Sequence, residues 1–241
     1  LKSFNDIDID DIFAATLEAQ NKIEDYSLER KQIIPKVQVP FYDNLWDLLP
    51  EEMQWSSYTW PTLDRIICAG NDQERYWLGE CLKSMREKGF IDKKEYWDRL
   101  ETEADVIDDI GGKLEDCLFA YFNTFKHYID LFWDCGSIVG PGRGSATGFL
   151  SNYLLGITQL DPVRWKLPYW RFLNKERAEL PDIDIDLAPS KRPEIFRRIR
   201  QERGELGLIQ VGTFGTEGTK SAILTACRGY RSEDFPDGID V

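Results

Sequence analysis

The sequence predicts a helix-rich α/β domain, and three observations carry that reading. From Asp72 to Asp134 apolar residues recur at helical spacing. After Gly136 the texture changes to short apolar segments and glycine-rich turns between helices. Within that second part, Ile183, Ile185 and Leu187 alternate with Asp182, Asp184 and Asp186, the period of a strand. Strands alternating with helices predict an α/β layer.

Taken in order, a helix is expected from near Asp10 through Ala14, Leu17 and Ile23. Pro35, Pro40, Pro50 and Pro61 then punctuate an aromatic-rich, irregular connector. Helices follow over about 75–88, with Gly89 as C-terminal cap, and over about 93–110, stopping at Gly111-Gly112. A strongly apolar helix over 114–134 carries Leu118, Phe122, Phe125, Ile129 and Phe132 and suits burial under a sheet. Ser137–Val139 reads as a short strand, 140–145 as a turn-rich loop, and Ala146–Leu155 as a helix that Ser145 opens. Residues 183–187 read as a strand. Ser190 is placed to cap a basic helix reaching about Arg203. Leu208–Val211 is a further strand candidate, Thr213–Thr216 a turn, and Thr219–Arg228 a last helix.

Composition narrows the function classes. Charged residues make up 30% of the 241 positions, and no apolar run approaches the roughly 18 residues of a membrane span. No signal-peptide pattern opens the chain, and its start at Leu1 suggests a piece of a longer protein. Five cysteines without C-x-x-C spacing argue against a disulfide framework or structural zinc and suit reduced thiols in the cytoplasm. A single histidine, His127, excludes sites built from several imidazoles.

The net charge of −13 is unevenly spread. The first 130 residues hold 15 Lys and Arg against 28 Asp and Glu, whereas residues 131–241 hold 15 of each. A phosphate-binding surface is therefore expected in the second half.

Asp182, Asp184 and Asp186 would project from one face of a strand at about 7 Å intervals. Three like charges there are unfavourable without cations, and hard oxygen donors suit magnesium or manganese. Two metals roughly 3.5–4 Å apart serve phosphoryl transfer. The alternation alone is weak, since an exposed acidic strand would look the same. Asp6–Asp11 repeats it before a helix, where acids in the first turn favour the dipole, with no glycine loop or arginine cluster nearby.

The neighbours of the second copy distinguish it. Gly140, Gly142 and Gly144 permit a tight turn with exposed N–H groups able to meet phosphate oxygens, and Arg143 and Ser145 add to that reading. The loop lacks the Lys of a Walker A motif, so a plain turn stays open as the alternative. Arg171 and Arg177 precede Asp182 by eleven residues or fewer and offer bidentate contacts to phosphate. Lys191, Arg192, Arg197, Arg198, Arg200 and Arg203 form either a solvated face or a track along a nucleic-acid backbone, and Lys220 is a similar candidate.

In order and spacing, Val139–Ala146, Gly156-Ile157-Thr158 with Asp161-Pro162, Arg171–Asn174 with Glu176-Arg177, Pro181–Leu187, and Gln210 with Thr213–Thr216 resemble the palm of the C-family DNA polymerases, the bacterial DNA polymerase III alpha subunit. The resemblance is strong over about 137–229 and continues back to Glu74 through Arg99-Leu100-Glu101 and Asp105-Val106-Ile107. It implies a small mixed sheet of the polymerase-beta-like nucleotidyltransferase type. It also implies residues 1–70 as the end of a PHP-type domain and linker, 71–213 as palm, and 214–241 as the start of a thumb.

The implied activity is DNA-directed DNA polymerisation, adding deoxynucleotides to a primer 3′ end. Asp182 and Asp184 would be the catalytic ligands of two Mg2+ ions, with Mn2+ as an alternative. Gly144, Ser145, Arg171 and Arg177 would bind the nucleotide, and Asp186 would not be catalytic. Primer–template DNA and dNTP are the implied partners, with a sliding clamp and other replisome subunits in the full-length protein. The family's third catalytic aspartate would lie beyond Val241, so this piece is expected to bind metals and nucleotide weakly and to be inactive alone. Leu187 stands where the family has an aromatic and Lys175 where it has a proline. A non-catalytic phosphate- or nucleic-acid-binding module, or another nucleotidyltransferase of the same palm type, are the competing readings.

Overall fold

The computed structural model describes residues 9–22, 33–50, 59–177 and 179–229. Two compact units emerge, one of residues 1–133 with 139–186, the other of 134–138 with 187–241.

In the first unit helix α1 spans Ile9–Asn21, and Ile23, expected to extend it, lies outside the described residues. Helix α2 spans Pro61–Ala69, where the sequence suggested only a connector. Pro61 opens it, since its fixed φ and missing N–H suit the first helical position. Helix α3, Asp72–Glu87, starts from a capping box: Asn71 Oδ1 accepts the Gln73 and Glu74 N–H groups, and Glu74 accepts the Asn71 N–H at 2.7 Å.

Helix α4 runs Lys94–Leu114, through Gly111-Gly112 rather than stopping there. A side chain at Gly111 would lie 2.8 Å from the Asp116 carbonyl, so the helix uses glycine for close approach and ends at Glu115, whose φ is +54°. Helix α5, Phe119–Asp134, therefore starts later than expected.

The core is aromatic. Trp77 of α3 meets Phe119 of α5 at 5.0 Å between centroids. Phe122 stacks on Phe149 at 5.9 Å, and Phe149 meets Phe172 at 5.0 Å. Each such burial contributes about 1.5–3 kcal/mol. The short helix α6, Leu150–Leu154, neighbours both α3 and α4.

The expected sheet is not found. Among the described residues there is no strand, only isolated bridge residues at Val139 and Leu187. Ser137–Val139, 183–187 and Leu208–Val211 are irregular or extended backbone without ladders. Apolar alternation selects which side chains face inward, but a sheet also needs neighbouring chains to accept its N–H and C=O groups. Helix α5 accordingly buries its face against helices and loops rather than under a sheet.

In the second unit helix α7 spans Arg192–Arg203 and α8 spans Thr219–Gly229. Ser190 does not cap α7. It sits inside a 3-10 turn, Pro189–Lys191, and α7 has no side-chain cap. Ser137 Oγ instead accepts the Ala188 N–H at 3.1 Å.

Candidate nucleotide and metal site

The glycine loop of the first unit packs directly on the aspartate segment. Gly140 N–H donates to the Asp186 carbonyl at 2.9 Å. A Cβ at Gly140 would lie 3.0 Å from the Asp186 Cβ, and one at Gly144 would lie 3.5 Å from Asp184 Oδ2. Gly142 has a φ of +111°, and a side chain there would press on Thr147 and Thr158 at 2.9 and 3.0 Å. Only glycine meets both demands cheaply. Further ties hold the loop. Gln159 N–H donates to the Pro141 carbonyl at 2.8 Å, and Asn152 Nδ2 to the Ala146 carbonyl at 2.9 Å.

Ser145 does not open a helix. Gly144–Gly148 forms a 3-10 turn, Phe149 returns to extended backbone, and α6 begins only at Leu150. The expected single helix over 146–155 is thus broken in two. The break is stabilised from another element. Glu103 of α4, fully buried, accepts the Leu150 N–H at 2.6 Å and the Ser151 N–H at 2.8 Å. Arg99, one turn earlier, pairs with Glu103 at 2.7 Å and donates to the Gly148 and Leu167 carbonyls. Burial pushes the Glu103 carboxyl up, and the Arg99 charge and the two amides pull it part of the way back.

The aspartates keep their alternation without a sheet. Asp182, Asp184 and Asp186 are exposed, while Ile183 is buried and Ile185 and Leu187 are partly so. Arg143 lies 3.7 Å from Asp184 Oδ2 and 3.5 Å from Asp186 Oδ1, long and solvent-screened pairs. Just before Asp182, the Tyr121 hydroxyl donates to the Pro181 carbonyl. Burial and the Asp182 charge raise the Tyr121 phenol, so it stays a donor.

Beside this segment a cavity of about 380 Å³ is lined by Ser145, Trp170, Arg171, Asn174, Arg177 and Asp182, among others. The structure therefore brings Ser145, Arg171, Arg177 and Asp182 to one lining, with Gly144 and Asp184 adjoining it through the loop. Arg171 follows from the 3-10 turn Tyr169–Arg171 and makes no ion pair or side-chain hydrogen bond with another described residue. Arg177 is tied to Glu179 at 2.7 Å. Asn174 turns the chain between them, its Oδ1 accepting the Glu176 N–H at 3.0 Å, and Lys175 anchors the turn to Asp105 of α4 at 2.5 Å.

Hard carboxylate oxygens on an exposed face fit a magnesium ion, but among the described residues no three His, Cys, Asp or Glu converge as a ligand set. Two carboxylates would leave the remaining positions to water and phosphate oxygens.

Residues 73–237 match the family of the bacterial DNA polymerase III alpha NTPase domain. The chain belongs to that family. The DNA polymerase III alpha match covers the glycine loop, both cavity arginines and all three aspartates of the segment. The chain is 36% identical to the "Probable DNA polymerase YorL" of Bacillus subtilis over 236 positions, covering 92% of this chain and 17% of that protein. It is 35% identical to the DNA polymerase III subunit alpha of the same species over 161 positions, 67% of this chain and 14% of that one. The Thermus aquaticus subunit alpha shares 43% over 110 positions. The chain thus spans well under a fifth of the length of these polymerase relatives.

Three supports of this family site escaped the sequence reading: Glu103, Tyr121 and Trp170. Only the first left a signal, a charge at i, i+4 from Arg99 that falls on the otherwise apolar face of its helix.

Proposed function

We propose that this site is the metal- and nucleotide-binding part of a DNA-directed DNA polymerase that adds deoxynucleotides to a primer 3′ end. One observation carries the reading: a single cavity gathers Ser145, Arg171, Arg177 and Asp182, a hydroxyl, two guanidiniums and a carboxylate from separate parts of the chain. Membership of the polymerase III alpha family supports it.

In this reading Asp182 and Asp184 hold two Mg2+ ions, or Mn2+ in their place. When bound, the ions supply charge neutralisation for phosphoryl transfer. The protein's own residues do the positioning. The glycine loop presents Gly144 and Ser145 to the triphosphate, and Arg171 and Arg177 take its oxygens in bidentate fashion. Arg143, near Asp184 and Asp186, offsets part of their mutual repulsion. Asp186 is a neighbour rather than a ligand. Primer–template DNA and dNTP are the substrates, and in the full-length protein a sliding clamp and replisome subunits are the partners. Two carboxylates are too few for turnover, so the 241-residue chain alone binds metal and nucleotide weakly and does not extend a primer.

The test is single-turnover primer extension by the full-length protein beside Asp182→Ala and Asp184→Ala. A loss of about a thousandfold or more is expected, because a ligand of the catalytic metals contributes several kcal/mol. A loss of only a few-fold would sink the assignment. Template-independent addition would favour a different nucleotidyltransferase, and nucleotide binding with no extension a non-catalytic module.

A further inference from the structure

The two segments that carry the nucleotide-binding candidates are stitched together from behind by one buried ion pair. Arg99 Nη2 donates to the Gly148 carbonyl, which ends the Gly144–Gly148 turn, and at 2.9 Å to the Leu167 carbonyl, just before the Tyr169–Arg171 turn. Its guanidinium also lies over the Tyr169 ring, 5.1 Å from the centroid. Glu103 fixes Arg99 at 2.7 Å and spends its remaining lone pairs on the first two N–H groups of α6.

Two features and one general argument favour positioning over mere filling. Helix α6 has no side-chain cap of its own, and Phe149 ahead of it is extended, so Glu103 supplies from α4 the acceptor that a local Ser or Asp would ordinarily supply. Gly148 is pressed so closely on the second segment that a Cβ would lie 2.7 Å from the Pro168 carbonyl. Buried ion pairs are weak sources of net stability, because desolvation offsets their attraction, so a geometric role is the better account of keeping one here.

We infer that Arg99 and Glu103 are positioning residues for nucleotide binding, setting the separation between the Gly144-Ser145 turn and Arg171 without touching the nucleotide. The inference rests on the polymerase reading of the site. Positioning matters there because displacements near 1 Å weaken such sites strongly.

The experiment uses the full-length protein, with single-nucleotide incorporation on a primer–template and binding of the same DNA followed separately. Glu103→Gln leaves one α6 amide without a good acceptor, Arg99→Lys cannot span both carbonyls, and Gly148→Ala pushes the two segments apart while both Arg99 and Glu103 are kept. A rise in KM for dNTP of about tenfold is expected in each, with the DNA Kd within about twofold of the parent. Unchanged KM in folded variants overturns the inference. So does equal weakening of dNTP and DNA binding, or failure of all three to fold, since either assigns the pair to general stability. If the polymerase reading itself is at fault, the unsubstituted protein shows no templated incorporation, an outcome distinct from all of these.

Discussion

Glu103 Oε1 sits 2.7 Å from Arg99 Nε, one turn away on α4, and the carboxylate is wholly removed from solvent. Because burial raises this carboxyl above its ordinary value of 4.5, the folded state binds a proton there more tightly than the unfolded state, and the two differ in protonation only between 4.5 and the raised value. The sign follows: the stability Glu103 contributes is greatest at low pH and declines as pH rises from 4.5 through the raised value, then stays level. The Glu103→Gln variant, which cannot ionise, lacks that decline. The stability advantage of the parent over Glu103→Gln should therefore shrink across this acidic window, and denaturation midpoints at pH 4 to 7 measure it. An advantage that grows with pH would contradict the buried-carboxylate picture.

Arg171 and Arg177 differ in their starting state, and their variants should differ too. Arg171 has no described partner to give up, so Arg171→Ala should raise KM for dNTP with little change in thermal midpoint. Arg177 must first leave Glu179, 2.7 Å away and exposed. Such a surface pair is worth about 0–1 kcal/mol, so Glu179→Gln should lower KM by up to about fivefold. Steady-state incorporation at varied dNTP reads both. An increased KM in Glu179→Gln would show that the pair holds Arg177 in place for the nucleotide.

Tyr121 should matter through its hydroxyl alone. Tyr121→Phe keeps the ring against Phe122 and Phe125 but removes the bond to the Pro181 carbonyl. A stability loss of about 1 kcal/mol is expected, together with a higher magnesium requirement, since Asp182 is the next residue. Magnesium titration of primer extension checks this, and an unchanged requirement would separate Tyr121 from the carboxylates.

Gly142 combines a φ of +111° with neighbours that leave no space for a side chain. Gly142→Ala should lower stability by about 1–3 kcal/mol and weaken dNTP binding with it. Calorimetry and nucleotide KM measured on the same preparation test the link, which fails if either changes alone.

How far the sequence could be read depends on what each feature requires. The helices over 72–134 were legible because their signal is local, although Gly111-Gly112 looked like an ending and proved to be a close approach. Asp182, Asp184, Arg171, Arg177 and Ser145 were legible as types in an order. The cavity that gathers most of them is a finding of the fold. The sheet was misread because alternation of Ile183, Ile185 and Leu187 with aspartates reports facing, not hydrogen-bond partners. Glu103 escaped because the amides it caps lie 47 and 48 residues away, beyond the reach of any pattern read along the chain.

The rings of Phe122, Phe149 and Phe172 link α5, the break before α6 and the arginine-bearing turn. Segments sharing such a junction are expected to open as a unit. The amide protons of Leu150 and Ser151, held by Glu103, should then exchange with deuterium at the rate of the whole aromatic junction rather than that of a surface loop. The polypeptide around the cavity lined by Ser145 and Arg171 would thus behave as one cooperative unit, so that a ligand ordering either arm protects both.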